Sequence, residues 1–398
     1  MKRIVVEAGA AAVIRTLEEA GYQACAVGGC VRDSLMGRVP KDWDVTTSAL
    51  PEEIKSVFPR TFDTGIQHGT VSVREQGRTY EVTTYRVDGT YGDHRRPDYV
   101  KFTGSLREDL SRRDFTINAM AYHPERGLTD YFGGVQDLER GLIRCVGEAR
   151  ERFEEDALRM LRALRFSARL GFEVEGSTWA AVKEKAPLLA NVSRERVEEE
   201  LNQILLSDHP ERMEAVWDTG LMPWCIPDFS GEKYDWQALR AVPAERVLRW
   251  AVCLRDFGPE DTDRILRDLK FDNAARLRLV RLAAFRSRSL PREPEPMRRF
   301  LHELGRENFM DLFQVKKALG EAETALEAAR EQYEAQKDCC LTVRELALDG
   351  RALRQLGVPE GPAMGALLNA LLDRVLRDPS LNTRELLTGQ LEDLRSRD

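Results

Sequence analysis

The sequence has no apolar run long enough to cross a bilayer, so its pattern excludes a helical membrane span. Met1-Lys2-Arg3 and the apolar residues after them superficially resemble a secretory signal. Glu7 and Arg15 interrupt that stretch, which fits an amphipathic helix better. The seven cysteines are an odd number with no zinc-like or disulfide-framework spacing, so the expected setting is a reducing cytoplasm. P-loop, dinucleotide-binding glycine fingerprint, internal repeat and low-complexity tract are all missing. Positive charge is not in excess either. A net charge of −7 argues against a chain coated with nucleic acid, although a local basic surface matters more than the total.

What is present is a balance of 42% hydrophobic and 32% charged residues over 398 positions, as in a globular chain of several domains. Its character changes near residue 145. Before that point, Tyr22 to Val27, Trp43 to Thr47, Thr70 to Arg74 and Thr79 to Tyr85 read as strands. Helical stretches are expected around Ala10 to Glu19, after Gly29 and after Pro51. From Glu151 onward the pattern is helical almost throughout. Glu321 to Lys337 reads as one long polar-faced helix, a spacer or surface element, and glycines after Leu341 punctuate a last set of short helices. The expected class is α+β: a head with a small mixed sheet, then an all-α remainder.

Asp42-Trp43-Asp44 is the most suggestive short segment. On a strand, residues two apart share a face, and two hard oxygen ligands suit Mg²⁺ and phosphoryl transfer. Alone, such a pair is commonplace in so acidic a chain. Its surroundings give it meaning. Gly28-Gly29-Cys30-Val31-Arg32-Asp33 follows a strand and opens a helix, where backbone N–H groups can approach a phosphate and Arg32 can add a forked contact. Glu81, on another strand, offers a third carboxylate, either a metal ligand or a base for an attacking hydroxyl.

These residues resemble the signature of polymerase β-like nucleotidyltransferases, and within them the class II tRNA nucleotidyltransferases and their bacterial poly(A) polymerase relatives. Further segments match in order: Arg112-Arg113-Asp114-Phe115-Thr116-Ile117-Asn118-Ala119-Met120, then Asp130-Tyr131-Phe132-Gly133-Gly134 with Asp137-Leu138. Glu155-Asp156-Ala157-Leu158-Arg159 through Phe166 and Ser193-Arg194-Glu195-Arg196-Val197 complete the set. The tail from Leu341 resembles that of the shorter bacterial type. The resemblance implies a catalytic head (1–145), a neck that reads the base (146–207), and a body (208–320) and tail (321–398) that bind tRNA. It implies that Asp42 and Asp44 hold Mg²⁺, that Gly29, Arg32 and Arg113 contact the nucleotide, and that Asp156, Arg159, Arg162 and Arg165 meet the base and triphosphate. Substrates would be tRNA, CTP and ATP; a homodimer is compatible with it.

Asp156 and Arg159 stand three apart on what reads as one helix, hence on one face. A carboxylate only accepts hydrogen bonds and a guanidinium only donates. Cytosine and adenine both present an amino donor beside a ring-nitrogen acceptor, whereas uracil and guanine present a carbonyl beside a ring N–H. One acid and one arginine can therefore accept C and A and refuse U and G.

Three activities share such a scaffold: full CCA addition, CC-only or A-only addition, and poly(A) synthesis. Asp88-Gly89-Thr90-Tyr91-Gly92-Asp93-His94-Arg95-Arg96-Pro97 resembles the flexible loop of full CCA enzymes, and Thr64 to Val71 resembles the tRNA-specific branch. A rival from another class is a non-catalytic RNA-binding protein, which a lost carboxylate would betray; none is lost. Eight arginines from Arg276 to Arg299 read on charge alone as a solvated helix face, and the resemblance makes them candidate tRNA backbone contacts, Arg286 and Arg288 among them.

Overall fold

The computed structural model describes residues 4–89, 100–229 and 234–395. The chain forms two compact units, Met1–Trp236 and Gln237–Asp398. Head and neck, expected as 1–145 and 146–207, lie together in the first unit, and the division falls inside the expected body.

Nine strands come first: β1 (Ala24–Val27), β2 (Asp44–Thr47), β3 (Thr61–Gly65), β4 (Thr70–Glu75), β5 (Arg78–Thr84), β6 (Arg86–Asp88), β7 (Val100–Phe102), β8 (Met120–His123) and β9 (Gly127–Asp130). Seven of them form one sheet in the order β3-β4-β5-β2-β1-β8-β9, and β6 and β7 make a separate ribbon. Only β2 and β5 run parallel in the large sheet. The central strand β1 is buried along its whole length, with Ala24 and Ala26 facing one apolar cluster and Cys25 and Val27 another. Each face of the sheet is thus covered. The first cluster takes in Val13, Ile14 and Leu17 of α1 (Ala8–Glu19), with Trp43, Val45 and Val82. The second takes in Leu110 from α4 (Leu106–Ser111). Between them in the chain come α2 (Gly29–Leu35) and α3 (Pro51–Val57), the latter begun by a proline where its missing N–H costs nothing.

After β9 the first unit continues with α5 (Gly134–Arg140), α6 (Ala149–Glu155), α7 (Leu158–Leu170), α8 (Gly176–Lys185), α9 (Arg194–Leu205), α10 (Met213–Asp218) and α11 (Met222–Cys225). A two-stranded parallel pair, β10 (Leu142–Ile143) and β11 (Glu173–Val174), interrupts the helices. Along α7, Met160, Leu161 and Leu164 are fully buried, and one face of α7 packs on α9.

The second unit is helical: α12 (Arg246–Cys253), α13 (Pro259–Asp268), α14 (Asn273–Arg286), α15 (Pro294–Leu304), α16 (Phe309–Ala318), α17 (Glu323–Gln336), α18 (Gly350–Gln355), α19 (Pro362–Arg377) and α20 (Arg384–Arg395). The long helix expected at 321–337 is α17. It is docked rather than a spacer, since Ala325, Leu326 and Ala329 are buried and Tyr333 stacks on Phe309 at 4.4 Å. The expectation of only short helices after Leu341 fails at α19, which has 16 residues and runs through Gly365. An exposed glycine inside a helix costs only about 1 kcal/mol, which the buried Leu371, Leu372, Val375 and Leu376 outweigh.

All seven cysteines are free. Cys25, Cys30, Cys145, Cys225 and Cys253 are buried. Among the described residues no helix is long and apolar enough to cross a membrane.

Candidate active site

The parallel pairing of β2 with β5 sets Asp44 directly opposite Glu81, and Thr46 opposite Thr83 one step inward on the same face. Asp42 lies just before β2. Both aspartates are exposed while Trp43 between them is buried in the core, so the alternation that the sequence suggests holds even though the strand itself begins at Asp44. Surrounding protein desolvates the Asp44 carboxyl, and the like charges of Glu81 and Asp42 add to this. Its pKa is raised above the usual carboxylate value despite the opposing charge of Arg113.

Asp109 lies beneath this rung, on α4, and is completely buried. Its Oδ1 accepts from Arg112 Nε and Nη2 at 3.0 and 2.8 Å and from the Arg86 backbone N–H at 3.4 Å. Its Oδ2 accepts from Thr46 Oγ1 at 3.2 Å and from Arg113 Nη2 at 3.5 Å. Burial alone would raise its pKa, but Arg113 and Arg112 outweigh burial and lower it. The other end of the Arg113 fork reaches the glycine turn. A Cβ built on Gly28 would stand 3.1 Å from Arg113 Nη1. Gly28 also has φ 81° and ψ −129°, a conformation that side chains resist. The steric demand therefore falls on Gly28, not on Gly29, where a Cβ would meet only Arg32 Nη2 at 3.7 Å.

Arg32 is 4% exposed and spends its donors internally. It donates to Asp33 Oδ1 from Nε at 2.9 Å and to Asn118 Oδ1 from Nη1 at 2.6 Å. Asn118 Nδ2 donates in turn to Asp114 Oδ1 at 3.2 Å, and Asp114 Oδ2 accepts from Arg162 Nε and Nη2 at 2.9 and 2.5 Å. Arg165 donates to Gln203 Oε1 at 2.9 Å and pairs with Glu200 at 3.0 Å. Phe166 gathers the guanidinium groups of Arg32, Arg162 and Arg165 around its ring at 5.3, 5.7 and 4.6 Å. Head and neck are thereby joined by a continuous polar chain.

The helix expected to carry both Asp156 and Arg159 is broken between them. Asp156 ends α6 in an extended conformation (φ −139°), and its Oδ1 accepts from the Leu158 N–H at 3.1 Å to begin α7. A short polar side chain that bonds the backbone two residues on favours such a break. Each residue has a partner elsewhere: Asp156 Oδ2 accepts from Arg196 Nη2 at 2.9 Å, while Arg159 donates to Glu155 at 2.5 Å and to the Arg112 carbonyl at 3.1 Å. The Asp130 motif has a structural task, its carboxylate accepting from the N–H groups of Phe132, Gly134 and Val135. The loop resembling that of full CCA enzymes lies outside the described residues except for Asp88 and Gly89.

The second unit changes the account of the arginine-rich stretch. Arg286 donates to the Leu254 and Phe257 carbonyls at 3.3 and 2.8 Å, and the buried Arg298 to those of Leu376 and Arg377. Arg276, Arg278, Arg288 and Arg299 pair with Asp263, Asp311, Glu303 and Asp373. Arg292 is exposed and has no side-chain partner among the described residues. Arg286 is a helix-end clamp, not a free cation.

Sequence reading missed Asp109 and the Phe166 hub. The signal for Asp109 was its spacing of three and four from Arg112 and Arg113, which also fits an ordinary surface helix.

Among the described residues, no three His, Cys, Asp or Glu side chains form a ready-made metal cage. A small hard cation keeps several waters and takes one or two carboxylates plus substrate phosphates. The carboxylate charge concentrated at Asp44 fits a divalent metal held by Asp42 and Asp44.

The chain matches the Poly A polymerase head domain over residues 24–144. It matches the probable RNA and SrmB-binding site of polymerase A over 171–232, and tRNA nucleotidyltransferase domain 2 over 244–390. It is 38% identical over 390 residues to a CCA-adding enzyme of Lactobacillus helveticus, covering 96% of each chain. It is 39% identical to one of Geobacillus kaustophilus, covering 95% of each. The crystal structure of the Bacillus stearothermophilus CCA-adding enzyme in complex with CTP matches with a TM-score of 0.82 at 35% identity over 98% of both chains. The carboxylate rung and the ordered motifs thus sit in a chain that belongs to the CCA-adding enzyme family.

Proposed function

We propose that this chain completes tRNA 3′ ends in the cytoplasm, adding C, C and A from CTP and ATP without a nucleic-acid template and releasing pyrophosphate. The observation that carries the reading is the Asp44–Glu81 rung, flanked by Asp42 and faced by the Arg113 guanidinium. Mg²⁺ held by Asp42 and Asp44 would supply charge neutralisation at the phosphates and a more acidic attacking hydroxyl. Arg113, tethered behind by Asp109 through Nη2, offers Nη1 beside the glycine turn to a triphosphate oxygen. The Gly28–Gly29 turn lets that guanidinium and the substrate come close to the backbone. Glu81, opposite Asp44 on the neighbouring strand, would take the proton of the tRNA 3′-hydroxyl.

Base choice rests on Asp156 and Arg159, which Arg196 and Glu155 orient. A carboxylate acceptor and a guanidinium donor match the amino group and ring nitrogen of C or A. Leaving those groups opposite U or G costs on the order of 1–3 kcal/mol for each buried mismatch.

The test is primer extension on three tRNAs lacking CCA, CA or only A, with CTP and ATP supplied separately and together. C, C and A on the shortest substrate followed by a stop establishes full CCA addition. Addition of A alone on the longest, or of C and C alone on the shortest, makes it a partial enzyme, and continued A addition makes it a poly(A) polymerase. No addition leaves an RNA-binding protein.

A further inference from the structure

Asp109 is a fully buried carboxylate that takes no direct part in the proposed chemistry, yet it binds Thr46, Arg86, Arg112 and Arg113 at once. It lies on the face of the sheet that carries Asp44 and Glu81, one step inward at Thr46. That step is about 6.6 Å of strand. It takes the Arg112 fork through two bonds and the Arg86 amide where β6 leaves the sheet. It also takes one end of Arg113, whose other end stands over Gly28.

One buried negative charge thus meets two guanidinium groups. Arg112, held by two short bonds, is spent. Arg113 is the uneven partner: its Nη2 sits at 3.5 Å from Asp109, its Nε makes no hydrogen bond among the described residues, and its Nη1 faces the glycine turn. An arginine held from behind by one edge, with Nη1 over the glycine turn and its charge felt by Asp44, is pre-organised for an anionic ligand.

From this geometry we propose that Asp109 is a positioning residue, which sets the Arg113 guanidinium against the triphosphate and locks it to the strand bearing Asp44. The inference rests on the function proposed above and names the residue that aligns its nucleotide contact. Asp109 acts equally on CTP and ATP, because it aligns the phosphate end and is remote from the base. Arg113 must be a fork, since a lysine reaching Asp109 has no second edge to offer.

The test is steady-state addition of the first C and of the final A by the full chain, with Asp109→Asn, Arg113→Ala, the double variant and Arg113→Lys. In Asp109→Asn, KM for CTP and for ATP should rise together by about tenfold or more, with KM for tRNA and the preference for C and A over U and G unchanged. The double variant should lose no more than Arg113→Ala alone, because both changes remove one interaction. Arg113→Lys should be as impaired as Arg113→Ala. An unchanged nucleotide KM in folded Asp109→Asn, additive losses in the double variant, or near-normal Arg113→Lys would each overturn the proposal. Should Asp109→Asn fail to fold, Arg113→Lys still decides. An inactive parent enzyme would instead sink the functional reading itself, before any variant is compared.

Discussion

Asp114 and Arg162 form a two-point ion pair, in which Nε and Nη2 of one guanidinium converge at 2.9 and 2.5 Å on a single oxygen of an almost fully buried carboxylate. Burial alone would raise the Asp114 pKa, but the Arg162 charge and hydrogen bonds, with one from Asn118, pull it down to about 2 from 3.8. A depressed folded-state value stabilises the native chain above the unfolded pKa, and the gain is lost as pH falls through the folded one. The stabilisation at neutral pH is about 2 kcal/mol. Denaturant titrations of the parent and Asp114→Asn should therefore differ most above about pH 5 and converge as pH falls from about 4 towards 2. A difference that stays constant across that window would remove the ion pair from the account.

Chemistry and binding should separate at the carboxylate rung. Asp44→Ala or Asp42→Ala should lower the rate of addition by on the order of 10³-fold or more, with tRNA affinity nearly intact. Chelation should stop the parent enzyme and added Mg²⁺ should restore it. A variant that retains near-normal turnover would show that the metal-binding assignment is wrong.

The glycine turn makes an asymmetric forecast. Gly28→Ala imposes both an unfavourable backbone conformation and an approach to Arg113 of 3.1 Å. It should destabilise the chain by about 1–3 kcal/mol and cut activity further than stability alone explains. Gly29→Ala meets only an ordinary contact and should be milder in both thermal melting and turnover.

Two neighbouring arginines should behave oppositely. Arg286→Glu removes two bonds to backbone carbonyls and should lower the melting temperature. Arg292→Glu touches no partner among the described residues and should leave melting unchanged. If this surface meets tRNA, Arg292→Glu should also weaken binding and reduce the salt slope by roughly 1. Equal affinity at low salt would take Arg292 off the binding surface.

The parts of the fold that could be read from the sequence were those with a period. The strand around Val82 alternates buried and more exposed positions, and its neighbour, buried at Val45, Thr46 and Thr47, was marked by that β-branched run, so their bounds came within a residue or two. β8 is buried at all four positions and β3 is an edge strand with three exposed residues, so neither offers the alternation that marks a strand. Among site residues, the spacing of Asp42 and Asp44 was enough to place them on one face. It could not disclose the break at Asp156, because an acid before Ala-Leu-Arg-Met-Leu reads as helix until Arg196, forty positions on, is seen to hold it. Asp109 was hidden for the same reason: its partners on Thr46 and Arg86 are neighbours only in three dimensions.

Asp44 and Glu81 are rung partners inside a seven-stranded sheet, and this bears on how one enzyme can insert two kinds of nucleotide. A sheet cannot slide by a fraction of its register, and a full step would turn every side chain to the opposite face. The distance between these two carboxylates is therefore fixed by the sheet, the same for the first cytidine and the last adenosine. Whatever distinguishes one round of synthesis from the next has to be accommodated by the helical residues and by the growing RNA, which adapt around an unyielding centre.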